Sequence, residues 1–570
     1  MAAVKGRGST AAGASPGAAG NSGGRAPRLR LAPDKATTFT AMVVAVAMIF
    51  VDQTIVSIAA PSIIEELGLS SSGMQRVVNA YLLALAAFFA LGGRLADIFG
   101  LRRMLVVGTL VFVTSSALCG SVPTGEFAEG WLVLFRATQG LGAALVFPAA
   151  LAVVISAFPV DERGRWLALF YVLAGSLTAL GPLLGGWLTA WTWRAIFWVN
   201  VPIAVLSLVL TAVARVPNVR RPERLDLPGA VLVAVGLGLS VLGLQQASSW
   251  GWSSPATWAC IVAGLAVLVL FCRHELRTDQ PLIKLRVFRD RAFTADVLVL
   301  FFAMVAFVPV MFFASVYAQI CMSASPDQAG LYLLYFFAGF GLSAQLGGRI
   351  LDKRGARPAM MLGSAVGCVG FALWAWKLTD LAPHDQWPYA ALAGAGIGLL
   401  LSPAATDAAN RSIDASYGEV TGITQTVRNF AAAVGMAVFG SVLVHVTTSR
   451  VTTTLTTTGM AEPAARSVAR GVAEAITGHP DDHRPTGGGP TAAALRSAGQ
   501  AVRMDFAVAN QWVFYGMAAA MGAAFLCTFL HPGTRVTGGP GEAAEAGRPL
   551  SSRSCATPAR PGGRWRRRSR

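Results

Sequence analysis

The stretch Gly92–Arg103 reads GGRLADIFGLRR, and a second stretch, Gly347–Pro358, reads GGRILDKRGARP. Both copies have two adjacent glycines, an arginine, an acid at the same place (Asp97 and Asp352), a further glycine and more cations. A long apolar run precedes each copy, and another follows it. Because the same turn recurs between apolar runs, the sequence predicts two related halves, an organisation typical of membrane transporters.

The duplicated turn has the residue types that a gate at the cytoplasmic edge requires. Two helices that reverse direction within a few residues need a glycine at the turn, and adjacent small residues let a neighbouring helix approach closely. Charges clustered there can hold one conformation closed and release it when the protein rocks; ordinary topogenic charge is the alternative. The predicted gate residues are Gly93, Asp97, Gly100, Arg102, Arg103, Gly348, Asp352 and Gly355.

The composition places the chain in a membrane. Its 570 residues are 54% hydrophobic and only 13% charged, whereas soluble domains carry roughly a quarter charged residues. The net charge of +17 sits in short loops and tails beside apolar runs, which predicts membrane topology rather than nucleic-acid binding. The sequence has no phosphate-binding Gly-Lys pair and no catalytic motif in a plausible context, and its seven cysteines lack CxxC spacing. We therefore predict neither an enzyme nor a metal or cofactor site.

Apolar runs of about 20 residues, the length that crosses the hydrocarbon core, predict an all-α polytopic protein with about 14 transmembrane helices. Two six-helix bundles would flank an extra central hairpin. The approximate limits are 38–60, 76–97, 104–122, 131–157, 164–190, 194–215, 228–247, 256–273, 292–318, 328–349, 359–377, 388–409, 419–445 and 508–530.

These helices group into five predicted regions. A disordered basic tail (1–37) precedes an N-terminal six-helix bundle (38–215), a linker (216–291) carries the extra hairpin (228–273), and a C-terminal bundle (292–530) precedes a second disordered basic tail (531–570). The hairpin has no charged residue before Arg273, so we expect it at the periphery, away from the transport pathway. The second bundle includes 446–507, the only long loop predicted on the outer side.

Lysine and arginine set the predicted orientation. The loops after even-numbered spans are basic, as in Arg102–Arg103 and Lys353–Arg354, while those after the first, third and ninth spans carry mainly acids. Because basic loops stay in the cytoplasm, both termini are predicted to be cytoplasmic in a multi-pass protein of the cell membrane. We expect a monomer in contact with lipid.

Two charges inside predicted spans indicate a site for proton coupling. Asp52 lies roughly 12 Å below the outer end of span one, and Arg136 lies roughly 8 Å below the outer end of span four. At this similar depth we expect them to be neighbours on a central cavity. Burial disfavours a charged carboxylate and a nearby cation favours it, so the two effects together predict that Asp52 exchanges a proton near neutral pH. A static packing pair is the alternative.

The second half has fewer charges inside its spans. Arg428 lies well inside span thirteen and Asp407 near the inner end of span twelve. These two residues could pair, or Asp407 could be exposed at the interface. Asp296 and His445 are predicted to be interfacial.

Four stretches together resemble the major facilitator superfamily, and most closely its 14-span drug:proton antiporters of the EmrB/QacA type, over nearly all of 38–530. They are the first turn, in which Ile98 and Leu101 replace two usual cations; Asp52–Val56 with Ala60-Pro61; Arg136–Gly142; and the glycine-proline stretch of span five. The resemblance adds Gln139 to the proton-coupling site and assigns an antiporter motif to Gly175, Gly181, Pro182, Gly185 and Gly186.

The resemblance implies export of a lipophilic, possibly cationic, small molecule by alternating access, in exchange for protons. The proton gradient would supply the energy, with no cofactor, and the glycine-proline stretch would limit leak. Two alternatives stay open at this point. One is an uptake permease or a lipid-facilitating exporter on the same fold, and the other is a membrane sensor or scaffold without transport.

Overall fold

The computed structural model describes residues 33–534 except 70, 160–161, 215, 217–224, 279–280, 284, 325, 412–416 and 477–498. Within these ranges the protein is helical, with no strand. The N-terminal half contains α1 (Pro33–Leu67), α2 (Ser71–Phe99), α3 (Leu101–Gly120), α4 (Ala128–Ala157), α5 (Arg163–Thr189), α6 (Ala195–Trp198) and α7 (Asn200–Val213).

A helical hairpin, α8 (Leu227–Trp250) and α9 (Pro255–Glu275), separates this half from the next. The C-terminal half contains α10 (Arg291–Cys321), α11 (Pro326–Arg354), α12 (Ala356–Lys377), α13 (Pro383–Arg411), α14 (Tyr417–Thr457), α15 (Glu462–Ile476) and α16 (Gly499–Thr528).

The all-α membrane architecture is confirmed, whereas the count of 14 spans is approximate. Thirteen stretches in the described ranges are long and apolar enough to cross a bilayer, one of them formed by α6 and α7 together. The predicted fifth span corresponds to α5, a helix of 27 residues that packs on α1 and α11. Exposed tryptophans gather at one end of the bundle, as in an interfacial belt; they include Trp187, Trp191, Trp258, Trp376 and Trp387.

The two copies of the opening turn have the same backbone design. One glycine, Gly100 or Gly355, ends each preceding helix with a positive φ, 102° and 87° respectively, and the next helix begins at the following residue. A side chain at either position would be strained. The first glycine of each pair also meets the backbone of a neighbouring helix. A Cβ on Gly92 would lie 2.1 Å from the Ala144 carbonyl oxygen, and one on Gly347 would lie 2.4 Å from that of Leu399.

We name the end of the bundle that holds these two turns the Arg-rich end. The described chain also begins and ends there, because Lys35 lies over the Phe158 ring and Arg411 contacts Thr534. The halves meet through α2 with α14 and through α5 with α11. Helices α2 and α11 are equivalent in the repeat, because each precedes a copy of the turn. Each of them contacts a helix of the other half.

The extra hairpin is only partly peripheral. Its helix α9 exposes apolar side chains such as Val262 and Val269. By contrast α8 packs on both α2 and α14, and therefore on both halves. The Asn79 amide nitrogen donates to the Gln246 side-chain oxygen at 3.5 Å, and the Trp252 indole N–H donates to the Ser441 hydroxyl. The hairpin thus bridges the junction between the halves on one side.

The predicted long loop at 446–507 contains substantial helix. Helix α14 continues to Thr457, α15 follows at Glu462–Ile476, and α16 already begins at Gly499. Val451 and Leu455 of α14 are buried against Ala465 and Ala469 of α15, so this stretch forms a small packed unit. Of the predicted tails, 1–32 and 535–570 lie outside the described residues. Residues 33–37 belong to α1, His531 is buried, and the exposed Thr534 accepts hydrogen bonds from Arg411.

Candidate functional site

Asp52 lies at the centre of a polar network inside the N-terminal half. Its carboxylate accepts from Arg136 Nη1 at 2.5 Å and from Gln139 Nε2 at 2.9 Å, both on α4. Asn200 Nδ2 of α7 is a third donor, at 3.4 Å. The contact predicted between Asp52 and Arg136 is therefore formed, and Gln139 joins it by also accepting from Arg136 at 2.8 Å.

Further polar groups surround this network. The guanidinium of Arg136 lies over the Tyr81 ring of α2, 4.3 Å from its centroid. Asn200 Nδ2 lies 3.0 Å from the Ser116 hydroxyl oxygen of α3, and Ser116 donates to the Phe197 carbonyl oxygen at 2.9 Å. Tyr81, Ser116 and Asn200 were not predicted as site residues from the sequence. Of these, only Asn200 carried a signal, as an amide at the start of an apolar helix.

The network is sealed from solvent. Asp52 and Gln139 are 0% exposed and Arg136 is 1% exposed. In the described conformation the pair does not face an open cavity, because α1, α2, α3, α4 and α7 enclose it within one half; its position on a central cavity stays a prediction. An enclosed ion pair is stabilised only when its remaining polar atoms are also satisfied. Here Arg136 Nε and Asn200 Oδ1 have no partner among the described residues.

The glycine-proline stretch of α5 packs directly on the turn of α1 that carries Asp52. A Cβ on Gly181 would lie 1.9 Å from the Thr54 hydroxyl oxygen and 3.2 Å from the Val51 carbonyl oxygen. Gly185 is buried, while Gly186 is exposed, with open space around it. The helix continues through Gly175 and Pro182, whose side-chain surroundings lie outside the description. Close packing of α5 on α1 therefore depends on Gly181.

The predicted gate residues occupy two similar but unequal sites. Gly93 and Gly348 are buried, Arg103 is exposed, and Arg102 is half-buried. Asp97 is buried, at 7% exposure, whereas its counterpart Asp352 is half-buried. At the departures from the family pattern, Leu101 packs into the apolar core and Ile98 is half-buried. The first turn thus uses apolar contacts where the family pattern has cations.

The two halves are in contact near the Arg-rich end through Arg163, which was not predicted as a site residue, and through Arg428, which was. Arg163 of α5 donates to Asn410 Oδ1 of α13 at 2.8 Å and to the Phe158 carbonyl oxygen at 3.0 Å. Arg428 of α14 lies over the Tyr171 ring of α5, 4.8 Å from its centroid. Arg163 lies in the short charged loop between spans four and five. A cation in such a loop indicates membrane orientation and gives no sign of a contact with the other half.

Neither of the two arrangements left open for Asp407 is present, because it does not pair with Arg428 and it is not exposed at the interface. Asp407 is 3% exposed and accepts from Arg411 Nε at 2.5 Å, while Arg428 stacks on Tyr171. Asp296, predicted at the interface, is 0% exposed. Both acids lie beside His531, which the sequence analysis assigned to a tail. His445 is exposed on α14, as expected of an interfacial residue.

At the opposite end, the stretch before α6 closes the N-terminal half. Trp193 Nε1 donates to Glu66 at 2.6 Å, and Arg194 Nη1 donates to the other oxygen of the same carboxylate at 2.5 Å. Arg194 also donates to the Val122 carbonyl oxygen at 3.1 Å. These bonds tie the chain after α5 to the ends of α1 and α3.

The fold and the enclosed site define a polytopic membrane transporter. Two helical halves meet along helices equivalent by repeat, and a charged network is buried within a span, where ionisable groups mark pathways. A family model described as Major Facilitator Superfamily matches residues 42–436. The chain belongs to this superfamily, and it is a transporter rather than an enzyme.

Three known proteins illustrate the relationship. The puromycin resistance protein of Streptomyces alboniger is 32% identical over 413 residues, covering 70% of this chain and 80% of its own. The cephamycin export protein CmcT of Amycolatopsis lactamdurans is 33% identical over 419 residues, covering 70% and 84%. The solved structure of the proton:xylose symporter XylE superposes with a TM-score of 0.51 at 15% identity, covering 87% of this chain and 96% of that chain. The last similarity concerns the fold alone.

Proposed function

We propose that this protein exports lipophilic small molecules across the cell membrane in exchange for protons, with Asp52 as the proton-coupling carboxylate. The observation that carries the proposal is the enclosed ion pair of Asp52 and Arg136. A carboxylate held within a span costs a few kcal/mol unless it is paired or wetted. Retaining one there is therefore consistent with a role in proton movement.

The three donors to Asp52 explain how proton binding and conformation would be linked. In the described state Arg136, Gln139 and Asn200 all stabilise the ionised carboxylate. Protonation would leave the buried guanidinium without its counter-charge, which is unfavourable. A proton would therefore enter only as the network rearranges and Asp52 gains access to water. Binding to one conformation and not the other is what shifts the balance between them.

Helix α5 provides a route by which movement of one half reaches Asp52. It contacts α11 and α13 of the other half and packs through Gly181 on the turn of α1 beside Asp52. A rocking motion that displaced α5 would press on Thr54 and Val51. The glycine-proline motif would then act in coupling, in addition to any role in limiting leak.

The proposed orientation places the Arg-rich end in the cytoplasm, with both chain termini on that side. Bonds such as Arg163 to Asn410 then close the cytoplasmic side in the described conformation. Opening to the inside would break them, and the two glycine turns would act as gate elements. The hydrophobic contacts of Leu101 and the partial exposure of Asp352 suggest that the two gates contribute unequally.

The substrate class rests on the relatives. Proteins about a third identical are named for resistance to puromycin and export of cephamycin, so a natural product or other lipophilic drug is the proposed cargo. Arg428, half-buried where α5 meets α14, has Nε and Nη1 without hydrogen-bond partners among the described residues. It is available to an acceptor group of a bound compound, so the cargo need not be cationic.

Export of puromycin and of the lipophilic cationic dye ethidium from cells that express the full chain tests the proposal. Wild type should lower their accumulation, and an uncoupler should abolish the effect. Asp52→Asn should lose gradient-driven export while the protein is still made and folded. Asp385→Asn removes an exposed carboxylate of the C-terminal half, at the end of the bundle opposite the Arg-rich end, and should export normally. Full export by Asp52→Asn would refute the coupling role, and raised accumulation in wild type would indicate uptake.

A further inference from the structure

A second cluster of buried titratable groups lies in the C-terminal half, at the Arg-rich end. It comprises Asp296 of α10, Asp407 of α13 and His531, which follows α16. Their side-chain oxygen and nitrogen atoms lie within 4.8 Å of one another. All three residues are at most 3% exposed. The cluster is separate from the Asp52 network, which belongs to the other half.

Arg411 and the segment after α16 complete the cluster. Arg411 Nε donates to Asp407 Oδ2, while its other nitrogens donate to the hydroxyl and carbonyl oxygens of Thr534. We name residues 529–534 the C-terminal hook. Hydrogen bonds of Arg411 and His531 hold the hook against α13 at the Arg-rich end.

The hydrogen bonds of His531 determine its protonation. Its Nδ1 accepts from the Gly533 backbone N–H at 3.0 Å, so this nitrogen carries no proton. The proton of the neutral ring is therefore on Nε2, which lies 3.0 Å from Asp407 Oδ2 and donates to it. A charged imidazole would place a proton on Nδ1 and lose the bond to Gly533. The hook thus holds His531 as a neutral donor.

A neutral His531 leaves the cluster with two carboxylates and one guanidinium. Arg411 already pairs with Asp407. Asp296 is fully buried, and neither of its oxygens has a hydrogen-bond partner among the described residues. An ionised carboxylate in this position is strongly disfavoured, and two like charges so close raise the cost further. One bound proton removes the unpaired charge.

We propose that Asp296 and Asp407 form a proton-binding site that holds one proton at neutral pH, chiefly on Asp296, and that this proton keeps α10, α13 and the C-terminal hook together. Loss of the proton leaves two carboxylates to repel each other across the junction of α10 and α13. The site is independent of the export proposal, because it rests on a different half and a different set of contacts.

The other charges near the site fit this assignment. Asp290 caps the start of α10, where its carboxylate accepts from the Ala292 N–H, and it adds negative charge just before that helix. On α12, Arg357 has its Cδ 3.5 Å from the position that a Cβ on Gly533 would occupy, so its charge lies beside the hook. Arg411 forms an ion pair with Asp407, and a guanidinium within the cluster disfavours a divalent cation there.

Infrared spectroscopy of the purified full-length protein can detect the proton directly, through the carbonyl stretch of a protonated carboxylic acid. Wild type at neutral pH should show a band that Asp296→Asn lacks. Asp407→Asn should lose the same band, because Arg411 then balances an ionised Asp296. Asp52→Asn should retain it. The matched control is Asp290→Asn, which changes the exposed carboxylate that caps the same helix, keeps a good N-cap residue and should retain the band.

Thermal unfolding provides the second measurement and does not depend on export. If the folded protein holds a proton that the unfolded chain releases, stability falls as the pH rises. Asp296→Asn should remove that component, so its unfolding midpoint relative to wild type should rise between neutral and alkaline pH.

A wild-type spectrum without the band, or a band that persists in Asp296→Asn, would overturn the proposal. Stabilisation by Zn²⁺ that Asp296→Asn abolishes would also overturn it, in favour of a metal site. If Asp296→Asn does not fold, Asp407→Asn and wild type at alkaline pH decide the question. Loss of the band in both supports the site, and its persistence in both refutes it. Asp52→Asn separates the two proposals, since its effect on export and its spectrum are scored independently.

Discussion

The two halves of the protein share a backbone design but differ in the hydrogen-bond donors that surround their buried carboxylates. In the N-terminal half, Asp52 receives donors from Arg136, Gln139 and Asn200. In the C-terminal half, Asp296 has no hydrogen-bond partner among the described residues and lies beside another acid. Three donors stabilise an ionised group, whereas an unpartnered buried oxygen favours a bound proton. The duplicated scaffold thus surrounds the buried carboxylates of its two halves with different sets of partners.

The arginine of each cluster is the most sensitive place to test this difference. Arg136→Met would leave the buried Asp52 carboxylate without its counter-charge, and breaking such a pair costs about 3–5 kcal/mol. Arg411→Met should cost clearly less, because the second cluster can take up a further proton and Arg411 lies closer to the surface, with 9% of its side chain exposed. Thermal unfolding of the purified variants in one detergent compares the two losses.

The double variant Asp52→Asn/Arg136→Met serves as the control for this comparison. It removes both charges together, so it should recover much of the stability that Arg136→Met loses. Equal destabilisation by Arg136→Met and Arg411→Met would mean that the two clusters do not differ in the way inferred.

The next effect concerns how α5 supports the Asp52 network. Gly181→Ala places a methyl group 1.9 Å from the Thr54 hydroxyl oxygen, and overpacking of this kind costs about 1–3 kcal/mol. Export should fall as well, because the turn beside Asp52 must shift. Gly186→Ala, in the same motif but with open space around it, should leave both stability and export nearly unchanged.

Thr54→Ala in the Gly181→Ala background removes the group that clashes. It should restore part of the stability and of the export, if close packing of α5 on α1 is what the motif supplies. Equal losses from Gly181→Ala and Gly186→Ala would instead assign the motif a role unrelated to Asp52.

Several features of this arrangement could be predicted from the sequence because they are local or repeated. The glycine turns follow from residue type at Gly100 and Gly355, and both have the positive φ that such a turn needs. The contact between Asp52 and Arg136 follows from helical rise and antiparallel direction, which place both at a similar depth. The surrounding residues Tyr81, Ser116 and Asn200 were not predicted, since they come from three further helices whose rotation only packing decides.

The second cluster was missed for a different reason. Arg411 stands four residues after Asp407, a spacing that places both on one helix face, so the sequence contained a signal for this pair that was not used. His531 follows the last span by a few residues and reads as the start of a basic tail. Only the return of the C-terminal hook to α13 brings it to the acids, and no periodicity in the sequence encodes that return.

The smallest expected effect tests whether the two turns are equivalent in backbone strain. Gly100→Ala and Gly355→Ala force a side chain into a positive-φ region with extended ψ, 139° and 176° respectively, which costs of order 1–3 kcal/mol, and we expect the two shifts in the unfolding midpoint to differ little from each other. Gly330→Ala, on α11 with open space around it, is the matched control and should be neutral or slightly stabilising, because alanine favours a helix over glycine. A much larger loss at Gly100 would place the difference between the halves in the turns themselves, where Asp97 is buried and Asp352 is not, rather than in the two carboxylate clusters alone.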